Sequence, residues 1–167
     1  MRLGLVAMSG LRAHNEELTQ LGLTLPGFVE RNKTIASLPS LGVLSLAGMT
    51  DDVVELDYQE VEVIATVDEL PGVYDVVAIS SYSAKINEAY QLADRFRSTG
   101  VIVILGGLHV TALPGEALQH ADCVVLGEGE PVWPEVVRDL KRRKLRPVYD
   151  ARGTPFNLAG APMPRFE

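Results

Sequence analysis

Four short stretches of this chain combine glycines with hydroxyl, imidazole or carboxylate side chains, which are the groups that bind polar small molecules. Each stretch directly follows an apolar run with the composition of a buried strand. Glycine leaves the backbone N–H groups bare, so a ligand can approach the main chain closely. The four stretches are Ser9, Gly10, Arg12 and His14; Ser80, Ser81, Tyr82 and Ser83; Gly106, Gly107, His109 and Thr111; and Gly127, Glu128, Gly129 and Glu130.

The third stretch closes the segment 101–111, VIVILGGLHVT, around which the rest of the chain is organised. Its first five residues are apolar and rich in β-branched side chains, which predicts a buried parallel strand. The strand breaks at the two glycines, and His109 and Thr111 are expected on alternate positions of an extended loop. Ligands of parallel sheets bind beyond the carboxyl ends of the strands. The segment therefore predicts that a flat or bulky small molecule lies against residues 106–111.

Three of the four stretches also have a purely structural interpretation. Paired carboxylates after residue 126 would suit acid–base catalysis, but no nucleophile with an oriented base is evident beside them. The structural alternatives are a tight turn at Gly106-Gly107, a loop histidine bonded to backbone at His109, a cap of the following helix at 80–83, and helix-dipole partners at Glu128 and Glu130.

The elements that must position these groups follow from hydrophobic periodicity and from the Gly and Pro breaks. Strands are predicted over 2–8, 53–56, 76–80, 101–105 and 122–126, and helices over 38–49, 83–98, 113–119 and 131–143. A cap at Ser37 and Pro39 in the first turn begin the apolar helix 38–49. Residues 9–37 have little periodicity beyond a possible short helix at 11–21, and a helical turn is predicted at 66–70.

Alternation of strands with helices predicts an α/β fold: a flavodoxin-like or Rossmann-like doubly wound parallel sheet. Five strands in the order 2-1-3-4-5, with helices on both faces, are expected, and 147–149 is a candidate additional edge strand. All four polar stretches then lie at one edge of the sheet. The domain is predicted to span 1–150, and the Pro- and Gly-rich residues 151–167 to form a linker.

Composition limits the function classes. A net charge of −7 over 167 residues argues against nucleic acid as a partner. The single cysteine, Cys123, excludes an internal disulfide and any cysteine-ligated iron–sulfur or zinc site built by this chain alone. No apolar run of ~18 residues predicts a membrane span. The N-terminal apolar run is too short for a signal peptide, so a cytoplasmic protein is expected.

Common nucleotide-binding patterns are absent. Asp57, at the end of the second predicted strand, could mimic a ribose-binding acid, but no Gly-rich fingerprint precedes it. A phosphate-cradling P-loop is missing as well. The third strand ends in Ser80 rather than in an aspartate, which argues against a phosphoacceptor domain.

Several longer segments together resemble the N-terminal cobalamin-binding domain of B12-dependent radical S-adenosylmethionine enzymes. GGLHVT and GEGE, each directly after a strand, are the most specific of these signatures, and the match covers roughly 38–150. The tail AGAPMPRFE is similar to the linker that leads into the radical S-adenosylmethionine barrel of that family. The segments are LPSLGVLSLAG (38–48), DVVAISSYSAKINEAYQLADRFRSTG (75–100), VIVILGGLHVTALPGEAL (101–118) and ADCVVLGEGEPVWPEVVRDL (121–140).

The resemblance implies that the sheet edge holds cobalamin, with its nucleotide tail threaded toward Gly106 and Gly107. The Asp-x-His-x-x-Gly cobalt-ligand motif of many cobalamin domains is absent, since the nearest histidine, His14, does not match it. The radical enzymes often lack that ligand, so no metal ligand is expected from this chain. The cofactor-binding residues that the resemblance implies are Ser80, Ser81, Tyr82, Gly106, Gly107, His109, Thr111, Gly127, Glu128, Gly129 and Glu130.

The chain lacks the Cys-x-x-x-Cys-x-x-Cys motif that binds an iron–sulfur cluster. The resemblance implies that the cluster and S-adenosylmethionine are held only in a C-terminal radical S-adenosylmethionine domain of the same polypeptide, which would perform methyl transfer or related radical chemistry. This chain alone lacks catalytic machinery. One alternative is a degenerate module that binds no cofactor and serves interaction or substrate gating. Another is a flavodoxin-like FMN protein, although no aromatic pair for stacking a flavin is evident.

Overall fold

Six parallel strands form one sheet in the part of the chain that the computed structural model describes, residues 1–8, 39–52, 54–61, 64 and 74–166. The doubly wound α/β fold is confirmed, and the candidate edge strand makes this sheet six strands wide rather than five. In chain order, the strands are β1 (Arg2–Met8), β2 (Glu55–Val61), β3 (Val76–Ser80), β4 (Ile102–Gly106), β5 (Cys123–Leu126) and β6 (Val148–Asp150). Across the sheet, their order is β2-β1-β3-β4-β5-β6.

Helices cover both faces of the sheet. Helices α1 and α5 pack on one face, and α2, α3 and α4 pack on the other. No helix among the described residues is long and apolar enough to cross a membrane. The helices are α1 (Leu41–Gly48), α2 (Ile86–Ser98), α3 (Leu108–Ala112), α4 (Pro114–Ala117) and α5 (Trp133–Lys141), with 3₁₀ turns at Ser83–Lys85 and Leu158–Gly160.

The central strands are continuous apolar runs because both of their faces are buried. In β3, Val77 and Ile79 pack toward α2, whereas Ala78 packs toward α1 and α5. Helix α2 has the predicted amphipathic pattern, with residues such as Ala89 and Phe96 buried. This packing fixes the carboxyl ends of β1, β3, β4 and β5 at one edge of the sheet.

Two predictions about that edge were wrong. Residues 108–111 are not an extended loop: Leu108–Ala112 form the short helix α3, which begins directly after Gly107. Strand β2 begins at Glu55 and continues to Val61, beyond the predicted 53–56. Its polar residues lie at the edge of the sheet, where side chains stay partly exposed, so no continuous apolar run marks it.

Helix α1 begins at Leu41, later than predicted, and Pro39 precedes it. Ser40 occupies the cap position but makes no side-chain capping hydrogen bond. The predicted cap Ser37, the predicted helical segments 11–21 and 66–70, and the polar residues Ser9, Gly10, Arg12 and His14 lie outside the described residues.

Candidate functional site

A cavity of about 190 Å³ lies at the carboxyl edge of the sheet, on the face covered by α1 and α5. Strands β1, β3, β4 and β5 form its floor, through residues that include Leu5 and Ile104. The predicted site residues that line it are Ser80, Gly106, Gly107, Gly127, Gly129 and Glu130. Five others, Ser81, Tyr82, His109, Thr111 and Glu128, are not among the lining residues.

Gly107 allows the chain to turn from β4 into α3. Its φ of 108° lies in the region that favours glycine. A Cβ there would lie 2.1 Å from the backbone oxygen of Ser81. The Ser81 N–H also donates to the Gly106 carbonyl over 3.1 Å. The turn after β4 is therefore pressed against the turn after β3, and only glycine fits at 107.

The turn after β5 also depends on glycine. Gly127 has a φ of 81°, and a Cβ there would lie 3.0 Å from backbone atoms of Ala151 and Arg152. At Gly129 a Cβ would lie 3.3 Å from the side chain of Leu46, on α1. The turn thus packs against β6 on one side and helix α1 on the other, and it forms one side of the cavity.

Glu130 brings a charged side chain to the cavity, whereas Glu128 is exposed. Neither carboxylate makes a hydrogen bond or ion pair with the described residues. The two therefore do not form a carboxylate pair on the cavity wall, and acid–base catalysis by such a pair has no geometric support here. Glu130 can accept hydrogen bonds from a ligand in an otherwise largely apolar cavity.

Thr111 does not line the cavity, but its hydroxyl joins two turns that do. The hydroxyl donates to the Gly107 carbonyl over 2.9 Å and accepts the Gly127 N–H over 2.9 Å. Thr111 thus bridges the ends of β4 and β5. Its contact with a ligand stays a prediction.

His109 lies with the helices of the opposite face. Its Nδ1 is 3.2 Å from the Ser83 hydroxyl, and its Nε2 is 3.4 Å from the Glu116 carboxylate. The ring meets that of Tyr90 edge to face, with centroids 6.4 Å apart. Burial, followed by the nearby Glu116 carboxylate, raises the pKa of Tyr90 to about 12. The histidine bonds to side chains, not to backbone as the structural alternative expected.

The serine-rich turn after β3 has three different environments. Ser80 lines the cavity, and Ser81 is buried, with its hydroxyl 3.3 Å from the carbonyl of Tyr82. The Tyr82 hydroxyl is buried without a hydrogen-bond partner among the described residues. No side chain in this turn caps the following 3₁₀ turn or α2. The capping interpretation of the serines was therefore wrong.

Helix α1 and the start of α5 supply cavity residues that the sequence pattern did not indicate. They are Ser40, Gly42, Val43, Leu46 and Trp133. Apart from its chain neighbours and its own helix backbone, no atom of the described residues lies within 4 Å of the position of a Cβ on Gly42. This glycine therefore leaves open space at the cavity and does not serve close helix packing. The LPSLG segment was a usable signal, since it stood out as part of the family resemblance.

Hydrogen bonds hold the two helical walls in place. The Trp133 indole N–H donates to the Thr50 hydroxyl over 2.9 Å, and that hydroxyl donates to the Leu46 carbonyl over 2.8 Å. The Ser40 N–H donates to the hydroxyl of Tyr58, on β2, over 2.8 Å. Burial, followed by the hydrogen bond to Glu60, raises the pKa of Tyr58 to about 12. Tyr58 therefore stays neutral at pH 7.

A doubly wound parallel sheet with a glycine-lined cavity beyond four neighbouring strands defines a ligand-binding α/β domain. The family model of the B12 binding domain matches residues 34–137. The chain belongs to the B12-binding domain family. The resemblance to a cobalamin-binding domain is thereby confirmed.

Two curated relatives come from Chlorobaculum tepidum. The chain is 42% identical to bacteriochlorophyllide d C-8(2)-methyltransferase over 92 residues, which are 55% of this chain and 20% of the relative. It is 40% identical to bacteriochlorophyllide d C-12(1)-methyltransferase over 109 residues, 65% of this chain and 23% of the relative. The chain thus spans about a fifth of the length of the curated relatives it matches.

Among solved structures, the N-terminal domain of a hypothetical protein of Thermotoga maritima is similar over 85% of this chain and 89% of that chain. The TM-score is 0.41 and the sequence identity is 17%. A likeness at that level carries no argument about function.

Proposed function

We propose that this domain holds cobalamin in the cavity at the carboxyl edge of its sheet and serves a methyltransferase. The observation that carries the proposal is that this cavity lies in a member of the B12-binding family, at the place where ligands of doubly wound sheets bind. Bound cobalamin supplies a cobalt centre that can carry a methyl group. This chain's residues bind and orient the cofactor.

The shape and chemistry of the cavity suit the nucleotide tail of cobalamin. Gly106 and Gly107 keep side chains away from the end of β4, and Gly42 leaves open space on the facing helix. A flat heterocyclic base fits between a glycine-lined strand end and a helix. Ser40 and Ser80 line the cavity and would hold the tail's sugar and phosphate through their hydroxyls, and Glu130 would accept hydrogen bonds from donor groups of the ligand.

The reaction itself belongs to another part of the polypeptide in this proposal. Both Chlorobaculum tepidum relatives are named methyltransferases, and the matched segment is about a fifth of each. We assign the iron–sulfur cluster and S-adenosylmethionine to a radical S-adenosylmethionine domain of the same polypeptide, on the strength of the motif resemblance. A Cys-x-x-x-Cys-x-x-Cys motif downstream in the same reading frame would support this assignment, and a full-length reading frame without one would contradict it.

Binding of hydroxocobalamin to the chain tests the cofactor proposal directly. Trp133 is the only tryptophan of the chain and lines the cavity. With the tail of cobalamin in this cavity, the corrin lies close to the indole and absorbs in the near-ultraviolet, where tryptophan emits, so we expect saturable quenching of the tryptophan fluorescence. A red complex should also elute with the protein in gel filtration.

Gly42→Leu provides the matched variant. Leucine is a better helix former than glycine, and the position is open, so the fold should be retained while the cavity is obstructed. We expect its affinity for cobalamin to fall at least about tenfold, the equivalent of 1.4 kcal/mol. Gly115→Leu is the control, because Gly115 is equally open and does not line the cavity. Absence of binding to the wild type, or equal binding by both variants, would contradict the proposed site.

A further inference from the structure

The backbone pairing of strands β4 and β5 stops before the edge of the sheet where the cavity lies. Their paired register ends at Ile104 opposite Cys123 and Leu105 opposite Val124. Beyond this point, the turns at Gly107 and Gly127 have no backbone pairing with each other. Both turns line the cavity, so the width of the gap between them helps to set the shape of the cavity.

The Thr111 hydroxyl spans this gap. It donates to the Gly107 carbonyl over 2.9 Å and accepts the Gly127 N–H over 2.9 Å. The Gly107 carbonyl has a second donor in the Thr111 N–H, at 3.0 Å. The Gly127 N–H has no other hydrogen-bond acceptor among the described residues. The turn after β5 therefore depends on Thr111 more than the turn after β4 does.

We propose that Thr111 is a positioning residue that holds the turns after β4 and β5 at the separation needed to admit the nucleotide tail of cobalamin. It acts through Gly107 and Gly127 and does not touch the cofactor. This inference rests on the proposed function. It gives the threonine of the GGLHVT segment a role different from the ligand contact that the sequence predicted.

The test compares Thr111→Val, which keeps the side-chain shape and removes the hydroxyl, with Thr111→Ser, which keeps the hydroxyl. Two probes separate the tail from the ring: hydroxocobalamin, and cobinamide, the corrinoid that lacks the nucleotide tail. We expect Thr111→Val to bind hydroxocobalamin at least about tenfold more weakly, since the part-buried Gly127 N–H loses its acceptor and the turn after β5 loses its bridge. Its affinity for cobinamide should change less than about twofold, and Thr111→Ser should bind both as the wild type does.

Hydrogen exchange of the Gly127 amide provides a second test of the Thr111 bridge, and this test needs no cofactor. Without the threonine hydroxyl this amide has no acceptor, so its exchange in Thr111→Val should be at least about tenfold faster than in the wild type. In Thr111→Ser the exchange rate should be unchanged. A merely structural loss of stability would speed exchange throughout the sheet, including amides of β3 that lie away from the turn.

The outcomes distinguish the inference from the proposed function. If the wild type binds cobalamin and Thr111→Val binds it equally well, the positioning role is wrong and the proposed function stands. If cobinamide and cobalamin lose the same affinity, or if Thr111→Ser behaves like Thr111→Val, the tail-specific role is also overturned. If the wild type binds no cobalamin, the proposed function fails, and unchanged exchange at Gly127 would show that the bridge fails too.

Discussion

Two threonine hydroxyls each join a backbone carbonyl to an N–H of a distant element. Thr111 joins the turns after β4 and β5, and Thr50 joins helix α1 to the indole of Trp133. In each case the hydroxyl donates to a carbonyl of one element and accepts an N–H from another. It thereby holds together two elements that line the cavity. The type of the residue indicated hydrogen bonding, but its partner depended on the fold.

Thr50→Val should destabilise the domain by about 1–3 kcal/mol, because the buried Trp133 N–H loses its acceptor. Urea denaturation followed by far-ultraviolet circular dichroism measures this change in the free energy of unfolding. Thr50→Ser keeps the hydroxyl and should cost less than half as much. Equal stability of Thr50→Val and the wild type would show that this hydrogen bond contributes nothing net.

Cys123 should make the free energy of unfolding decrease as the pH becomes alkaline. Complete burial raises the pKa of its thiol to about 12, with opposing smaller effects from Arg146 and Asp122. In the unfolded chain the thiol ionises near ~8.5. The raised pKa therefore stabilises the fold fully below ~8.5, and this contribution is lost as the pH rises toward 12.

The free energy of unfolding should consequently fall by about 2 kcal/mol more between pH 8 and pH 10 in the wild type than in Cys123→Ala. Denaturation curves at the two pH values measure the difference. The comparison isolates the thiol, because both proteins keep the same tyrosines. Parallel pH dependence in the two proteins would mean that the folded thiol ionises normally.

At the scale of elements, helix α1 is contacted on three sides. Val43 and Ala47 face the sheet, and Gly42 faces the cavity. The segment after residue 160, predicted to be a linker, packs against the third side: the Arg165 N–H donates to the Leu44 carbonyl over 3.1 Å. A change in the position of this segment can therefore reach the wall of the cavity.

Gly48→Ala should displace that segment. A Cβ on Gly48 would lie 2.4 Å from the backbone oxygen of Met163, which cannot be relieved by rotating a side chain. We expect trypsin to cleave after Arg165 several-fold faster in this variant, because cleavage follows local opening. Gly160→Ala, directly before this segment and with open space around its Cβ position, is the control. Equal cleavage of the two variants would contradict the predicted contact.

The elements that the sequence predicted well are those with a strong local pattern. The apolar runs of β3 and β4 and the amphipathic face of α2 were recognisable because burial dictates each residue. Edge strand β2 was misplaced because only one side of it pairs with a neighbour, and α3 was missed because a five-residue helix leaves almost no period to detect.

The same contrast between local patterns and tertiary contacts explains which cavity residues the sequence indicated. Gly107 and Gly127 were found because a backbone turn with a positive φ leaves a local signal in the sequence. Gly42 and Trp133 were not indicated as site residues, because their place in the cavity depends on contacts between elements far apart in the chain. Local patterns thus predicted the turns of the site, whereas the facing wall required the tertiary structure.

At the scale of the whole molecule, the cavity lies on one face of the sheet and a pair of stacked rings on the other. The cavity lies on the face of α1 and α5, and the stacked rings of Tyr90 and His120, 4.2 Å between centroids, lie with α2 on the other. The cavity wall is assembled from Leu5 to Trp133, so most of the folded domain must be in place before the cavity exists. Ligand binding and global folding are therefore thermodynamically linked.

This linkage predicts that cobalamin raises the melting temperature of the domain. A ligand that binds only the folded state, at a free concentration 100-fold above its Kd, adds about 2.7 kcal/mol to the free energy of unfolding. For a domain of this size that corresponds to a rise of about 5–10 °C. Differential scanning calorimetry with hydroxocobalamin measures the shift, which Gly115→Leu should keep. In Gly42→Leu the shift should fall to about half or less at the same cobalamin concentration, while the melting temperature without ligand stays at or above that of the wild type. A shift of the same size in Gly42→Leu would mean that cobalamin stabilises the fold from somewhere other than this cavity.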